Sequence, residues 1–249
     1  MTEPRPEFAR WAASFAGCDG GRLSGRIWLC GLEYGGDISS EQLREWIKTP
    51  EIEPPAAYAA ADRARSLSYP YNLKAIKLFR ALKSRSEESP AAFLDSERCF
   101  EHDGDYFKLN LFPISFKNTS PVRWPASGFA AVTGLRSRDE YEKWCQLHRF
   151  PQLKAWMVRG GPRLIVCTGI TYAHDFLMAF GDAQSELALH EYTVVGRRLR
   201  ISHFLANAGA TLVAVTHFLG NRYGLNSNAN IEATGRQLAQ LLRLNNLAL

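Results

Sequence analysis

The chain has 249 residues, 46% of them hydrophobic and 22% charged, and its 30 Lys and Arg outnumber its 25 Asp and Glu by five. That length buries a sizeable core and that composition excludes a disordered chain, while no apolar run approaches the roughly 20 residues of a membrane-crossing helix. The basic excess is modest and favours a polyanionic partner such as nucleic acid without requiring one.

The five cysteines (Cys18, Cys30, Cys99, Cys145, Cys167) are odd in number, scattered and free of any CxxC pair. This argues against a disulfide framework and a compact metal site, so reduced thiols are expected. The opening MTEPRPEF carries acids and prolines where a signal peptide would show a basic and then an apolar stretch, which predicts a cytoplasmic protein. No Pro/Gly/Ser linker divides the chain; residues 1–249 read as one domain with a helical N-terminal extension over 1–25.

In chain order, Phe8, Trp11, Ala12 and Phe15 have helical spacing that ends in a turn over Gly17 to Gly21. In RIWLCGLEYGGD (26–37) an apolar run too short for a helix meets Gly31, Leu32, the lone acid Glu33, Tyr34 and the pair Gly35 and Gly36: a buried strand delivering a carboxylate into a loop. Ser39 with Gln42 predicts a capping box for a helix to about Lys48, followed over 49–70 by an irregular excursion with a short alanine-rich turn. From Asn72, the residues Leu73, Ile76, Phe79 and Leu82, with Lys74, Lys77, Arg80 and Lys83 between them, predict an amphipathic helix with a basic outer face.

Tyr106 to Phe112 reads as a second strand, with Asn110 near its end. After a loop containing Pro121, Trp124 and Pro125, Ser137 and Glu140 predict a second capping box, a helix to about His148 and another after Pro151. Arg163 to Thr168 is the clearest buried strand, followed by Gly169 and a helix over 171–180. Two β-rich runs over 191–204, separated by Gly196, Arg197 and Arg198, predict a hairpin at a sheet edge. Thr211 to Thr216 ends at His217, and Ile231 to Leu244 closes the chain as a helix. The alternation predicts an α/β fold: a three-layer α/β/α sandwich with a central, mostly parallel four-stranded sheet and a small β-hairpin.

The four strand ends then carry Glu33, Asn110, Gly169 and His217 on one edge, where ligands of open α/β sheets collect. Taken in order, these segments resemble the uracil-DNA glycosylase superfamily over about residues 26–244. GLEYGGD is similar to the family's first-strand loop, which would make Glu33 the water-positioning acid and place Gly31 and Tyr34 at the base pocket. LNLFP resembles the strand end whose Asn reads the pyrimidine, here Asn110. VTHFLGNRYGLNS resembles the last loop, with His217 assisting the leaving base and Arg222, Tyr223 or Leu225 as the wedge. Tyr71 holds the position of the stacking aromatic. The resemblance implies a monomeric, cofactor-free enzyme that flips a deaminated base out of DNA, initiating base excision repair; with only Cys145 near a cluster-ligand position, no iron–sulfur cluster is expected.

The chemistry fits those residue types. Cleaving an N-glycosidic bond passes through an oxocarbenium-like state that a carboxylate stabilises, the departing base is met by a donor such as His217, and an amide offers both donor and acceptor to a uracil edge. Tyr34 and Phe218–Leu219 stand where the family has Pro and Pro-Ser, which favours a second reading, a catalytically silent nucleic-acid or nucleotide binding protein of the same fold. Asp37 is an alternative acid, and Arg22, Arg26, Lys117, Arg123, Arg197, Arg198 and Arg222 are candidate phosphate contacts. A phosphate loop at Gly31, Gly35 and Gly36 lacks GxGxxG and GK[ST], a serine hydrolase lacks GxSxG, and Cys30 in its apolar run reads as an inert thiol.

Overall fold

The computed structural model describes residues 2–55, 59–116, 120, 123–220 and 224–249. Its strands are β1 (Cys18–Gly21), β2 (Ile27–Gly31), β3 (Tyr106–Asn110), β4 (Leu164–Thr168), β5 (Ala188–Val194), β6 (Arg197–Ala206) and β7 (Thr211–Thr216). They form one mixed sheet in the order β1-β3-β2-β4-β7-β6-β5. The four predicted strands are its parallel centre, β3-β2-β4-β7. Two expectations are corrected. The sheet has seven strands and is mixed, not four and mostly parallel, because the hairpin at its edge pairs through β6 antiparallel with β7 and extends the same sheet. The segment Cys18 to Gly21, expected as a turn, is an edge strand antiparallel to β3, so the N-terminal region is more than a helical extension. Its glycines hid it, because glycine has no strand propensity; yet a Cβ on Gly21 would stand 2.4 Å from the Tyr106 carbonyl, so only glycine fits there.

Both faces of the sheet are covered. Trp28, Cys30, Phe107, Ile165 and Val213 pack toward the helices Pro6–Ala12, Arg138–Trp144, Phe150–Gly160 and Ala173–Phe180. Ile27, Leu29, Leu164, Val166 and Leu212 pack toward Pro70–Leu82, Pro90–Glu97 and Asn228–Leu244. Every residue of β2, β4 and β7 is buried, which is why these strands read as unbroken apolar runs.

Ser39 and Gln42 close the predicted capping box at the helix Ser40–Trp46. Ser137 accepts from the Glu140 amide, but the Glu140 carboxylate turns to Arg136 instead of closing a box. The helix after Ser137 does not stop near His148; it continues through a wide π-type turn (Cys145–Arg149) into Phe150–Gly160, whose first turn accommodates Pro151. The excursion over 49–70 contains a further helix, Arg63–Ser68. Among the described residues no helix is long and apolar enough to cross a membrane.

The chain leaves central β2 for β3 on one side and then returns to β4 on the other. These strands all run parallel, but the order in which the chain adds them reverses between β2 and β4, the place on the carboxyl edge where open α/β sheets form a crevice.

Candidate functional site

Strand register sets the level of the site. Gly31 lies beside Asn110, Cys30 beside Cys167 and Thr168 beside Thr216, so the loops carrying Glu33, Gly169 and His217 leave one edge together. Beyond the strands the β2 and β3 loops stay paired: the Phe112 amide donates to Leu32 O at 2.8 Å and the Phe116 amide to Tyr34 O at 3.2 Å. The Ser115 hydroxyl donates to Tyr34 O and Gly36 O at 3.1 and 2.6 Å. This pairing fixes the loop around Glu33 without a proline.

The Glu33 side chain is buried and receives a hydrogen bond from Arg138 Nη2 at 2.7 Å. Arg138 lies 4.5 Å over the Phe116 ring and also holds Glu142 at 2.7 Å. Two acids thus share one guanidinium, Glu33 buried with it and Glu142 partly exposed. Burial pushes the Glu33 carboxyl up to about 7 against the pull of Arg138, and Glu142 adds to the rise. Burial also works against the charge on Arg138, but the two carboxylates outweigh it, so Glu33 is the group that takes up a proton.

Asn110, Gly31 and Tyr71 come together on the side of the helix Pro70–Leu82. A Cβ on Gly31 would stand 2.3 Å from Asn110 Oδ1 and 3.6 Å from the Tyr71 hydroxyl, so glycine is what allows the amide this close to the strand end. Asn110 Nδ2 donates to Gly17 O at 3.1 Å, which leaves Oδ1 as the end of the amide with no hydrogen bond among the described residues. The Tyr71 hydroxyl bonds Thr168 Oγ1 at 3.0 Å across the crevice, and Lys108 Nζ lies 5.3 Å over its ring. Lys108 pairs with Asp19 and donates to Asn72 Oδ1 at 2.9 Å. Tyr34 reaches from the β2 loop to Asp19 on the edge strand; burial and that carboxylate keep its phenol protonated.

His217 leaves β7 half-buried, and its Nε2 is buried with no hydrogen-bond partner among the described residues. Burial, then the charges of Arg197 and Arg200, hold the imidazole below its ordinary value, so it is neutral at pH 7. No hydrogen bond or ion pair among the described residues joins Glu33 to Asn110, Tyr71 or His217. Glu33 is held by a helix of one face, Tyr71 is carried by a helix of the other, and Asn110 is held by the turn at Gly17.

Leu225 is no wedge. It is fully buried among the residues under the helix Asn228–Leu244, and its amide is bound to Phe218 O at 2.7 Å. The other two wedge candidates, Arg222 and Tyr223, lie outside the described residues, as does Lys117. Asp37 pairs with Arg123 at the surface. Arg26, bound to Asp105 at 2.6 Å, precedes β2 and lies at the opposite rim, with Arg22 beside it in chain order, so neither is placed to serve this edge. Cys30 is buried within the strand, as expected of an inert thiol. No group of three or more His, Cys, Asp or Glu suited to a metal occurs among the described residues.

Beyond the β2 loop an open cleft of about 410 Å³, within the range of small-molecule sites, is lined by Asp37, Ser39, Ser115, Phe116, Arg123 and Phe129. Phe116 separates it from the Arg138–Glu33 pair. Sequence reasoning missed the cleft, Arg138, Asp19 and Lys108; only Lys108 left a signal, as a cation among apolar residues of a central strand. The chain matches no family model and no curated protein.

Proposed function

We propose that the protein is a DNA glycosylase that hydrolyses the N-glycosidic bond of uracil or another deaminated base. The observation that carries this reading is the Glu33 carboxyl, fixed at the carboxyl edge of the sheet and raised to about 7, where it exchanges a proton at neutral pH. Ionised, it takes a proton from the attacking water and faces the positive charge that develops on the sugar. Neutral His217, whose Nε2 has no hydrogen-bond partner among the described residues, suits the departing base, to which it can donate an N–H as negative charge develops. Asn110 Oδ1, packed against Gly31, offers an acceptor to the imide N–H of uracil.

A second reading rests on a specific observation. The donor end of Asn110 is spent on Gly17, the Tyr71 hydroxyl on Thr168 and the Tyr34 hydroxyl on Asp19, an arrangement that favours a nucleotide or nucleic-acid binding protein without cleavage.

A uracil-containing oligonucleotide, treated with the protein and then with alkali, separates the two. The glycosylase produces alkali-labile sites, and Glu33→Gln reduces their rate by about a hundredfold or more. Binding without cleavage on single and double strands supports the second reading, and full cleavage by E33Q removes Glu33 from the chemistry.

A further inference from the structure

The longest stretch of the chain without a carboxylate runs from Tyr192 to Ile231, between Glu191 and Glu232, and it contains Arg197, Arg198, Arg200 and Arg222. The fold brings the first three of these cations to one rim of the sheet, Arg197 on the face of Leu199 and Ile201, Arg198 and Arg200 on the face of Phe204. Because β6 runs antiparallel to β7, with Ser202 beside Val215, its first residues lie at the carboxyl end of β7, and Arg200 comes alongside His217. Arg200 is exposed and forms no ion pair among the described residues, whereas Arg198 is turned to Glu191. Arg197 Nη1 donates to Asn226 Oδ1 at 3.4 Å. From the other side, Lys77 Nζ donates to Asn228 Oδ1 at 2.9 Å. Cations on two separate elements therefore flank one short segment, Asn226 to Asn228, on the rim that carries the unpartnered Nε2 of His217.

We propose that Arg197 and Arg200, with Lys77 across the Asn226–Asn228 segment, form the track that holds the phosphodiester backbone of a nucleic-acid strand and leads it to His217. The inference rests on the glycosylase reading and deepens it by naming the face on which the strand runs. The chemistry selects a polyphosphate: cations on both faces of one rim, beside a site that takes a neutral base, match a chain of single negative charges that crosses the rim. A bilayer surface fits less well. Among the described residues Val195 is the one large apolar side chain exposed at the hairpin tip, and a single such residue is too little to anchor in lipid.

The test is fluorescence anisotropy with a labelled single strand of about 20 nucleotides carrying one uracil, titrated from about 50 to 300 mM salt. The proteins are wild type, Arg200→Gln, Arg197→Gln with Arg200→Gln, and Arg163→Gln at the opposite rim, each checked for folding by circular dichroism. The double variant is expected to flatten the slope of log K against log salt by about 1.4, two phosphate contacts on a single strand, and to bind on the order of tenfold more weakly. R200Q should lose about half of this and R163Q almost nothing. An unchanged slope in the double variant, or an equal loss in R163Q, overturns the track while leaving the glycosylase reading in place. Wild type that fails to bind or cleave the oligonucleotide overturns both. Binding to phosphatidylserine vesicles that is lost in the double variant, with oligonucleotide binding intact, assigns the cations to a membrane and overturns the proposal.

Discussion

At Glu33, burial and shared hydrogen bonding act in opposite directions on one proton. Burial disfavours the Glu33 carboxylate; Arg138 holds it, but the partly exposed Glu142 draws on the same guanidinium, so the fully ionised group of three carries a net negative charge. A proton on Glu33 removes that charge, and its value rises from 4.5 to about 7. Between those values the folded protein holds a proton that the unfolded chain has released. Stability from this group is therefore fully present below about pH 4.5 and is lost as pH rises through 7. Wild type should lose on the order of 2 kcal/mol more than Glu33→Gln between pH 5 and 8, measured by chemical denaturation. For the proposed glycosylase, hydrolysis should run the other way, rising through about pH 7 as the Glu33 base is freed. Parallel stability curves for the two proteins would mean that Glu33 stays charged throughout.

At the scale of elements, the meeting of β2 with β3 controls the amide. The Gly31 position tolerates no Cβ against Asn110 Oδ1, so Gly31→Ala must push the amide aside and should cost about 1–3 kcal/mol. Truncating the obstacle removes the clash, so in an Asn110→Ala background the same change should cost far less. Equal costs in both backgrounds, read by thermal unfolding, would show that the strand ends do not meet as described. What was legible in the sequence follows the same division. IWLCG and LIVCT announced themselves because strands buried on both faces must be apolar throughout, and strand ends then pointed to Glu33, Asn110 and His217. The edge strand CDGG and the polar helix RARSLS carry no such pattern. The partners of the site residues were hidden for another reason: Arg138 is 105 residues from Glu33, and Gly17 is 93 from Asn110, pairings that only the tertiary register creates. Leu225 is a wedge candidate only through the resemblance of its loop, and the fold turns it inward.

Across the whole molecule, Arg149 joins the N-terminal segment to the rest. It is fully buried in the wide turn between two helices, and its guanidinium donates to five carbonyls: Leu111 at 2.7 Å, Ala12 at 2.7 Å, Ser14 at 3.1 Å, Ala16 at 2.6 Å and Asn110 at 3.1 Å. These use all five N–H donors of the side chain, with no carboxylate bound to it among the described residues. The same contact fixes the turn that offers Gly17 O to the Asn110 side chain and leads into the strand bearing Asp19. Arg149→Met fills similar space but leaves the buried carbonyls without partners, which should cost on the order of 4 kcal/mol. Lysine, with three donors, should recover part of that loss. Because the damage centres on residues 12–16 and 110–111, limited proteolysis of R149M should cut first in the N-terminal segment, before global unfolding, and cleavage distributed along the chain would show that Arg149 supports the fold only as packing volume.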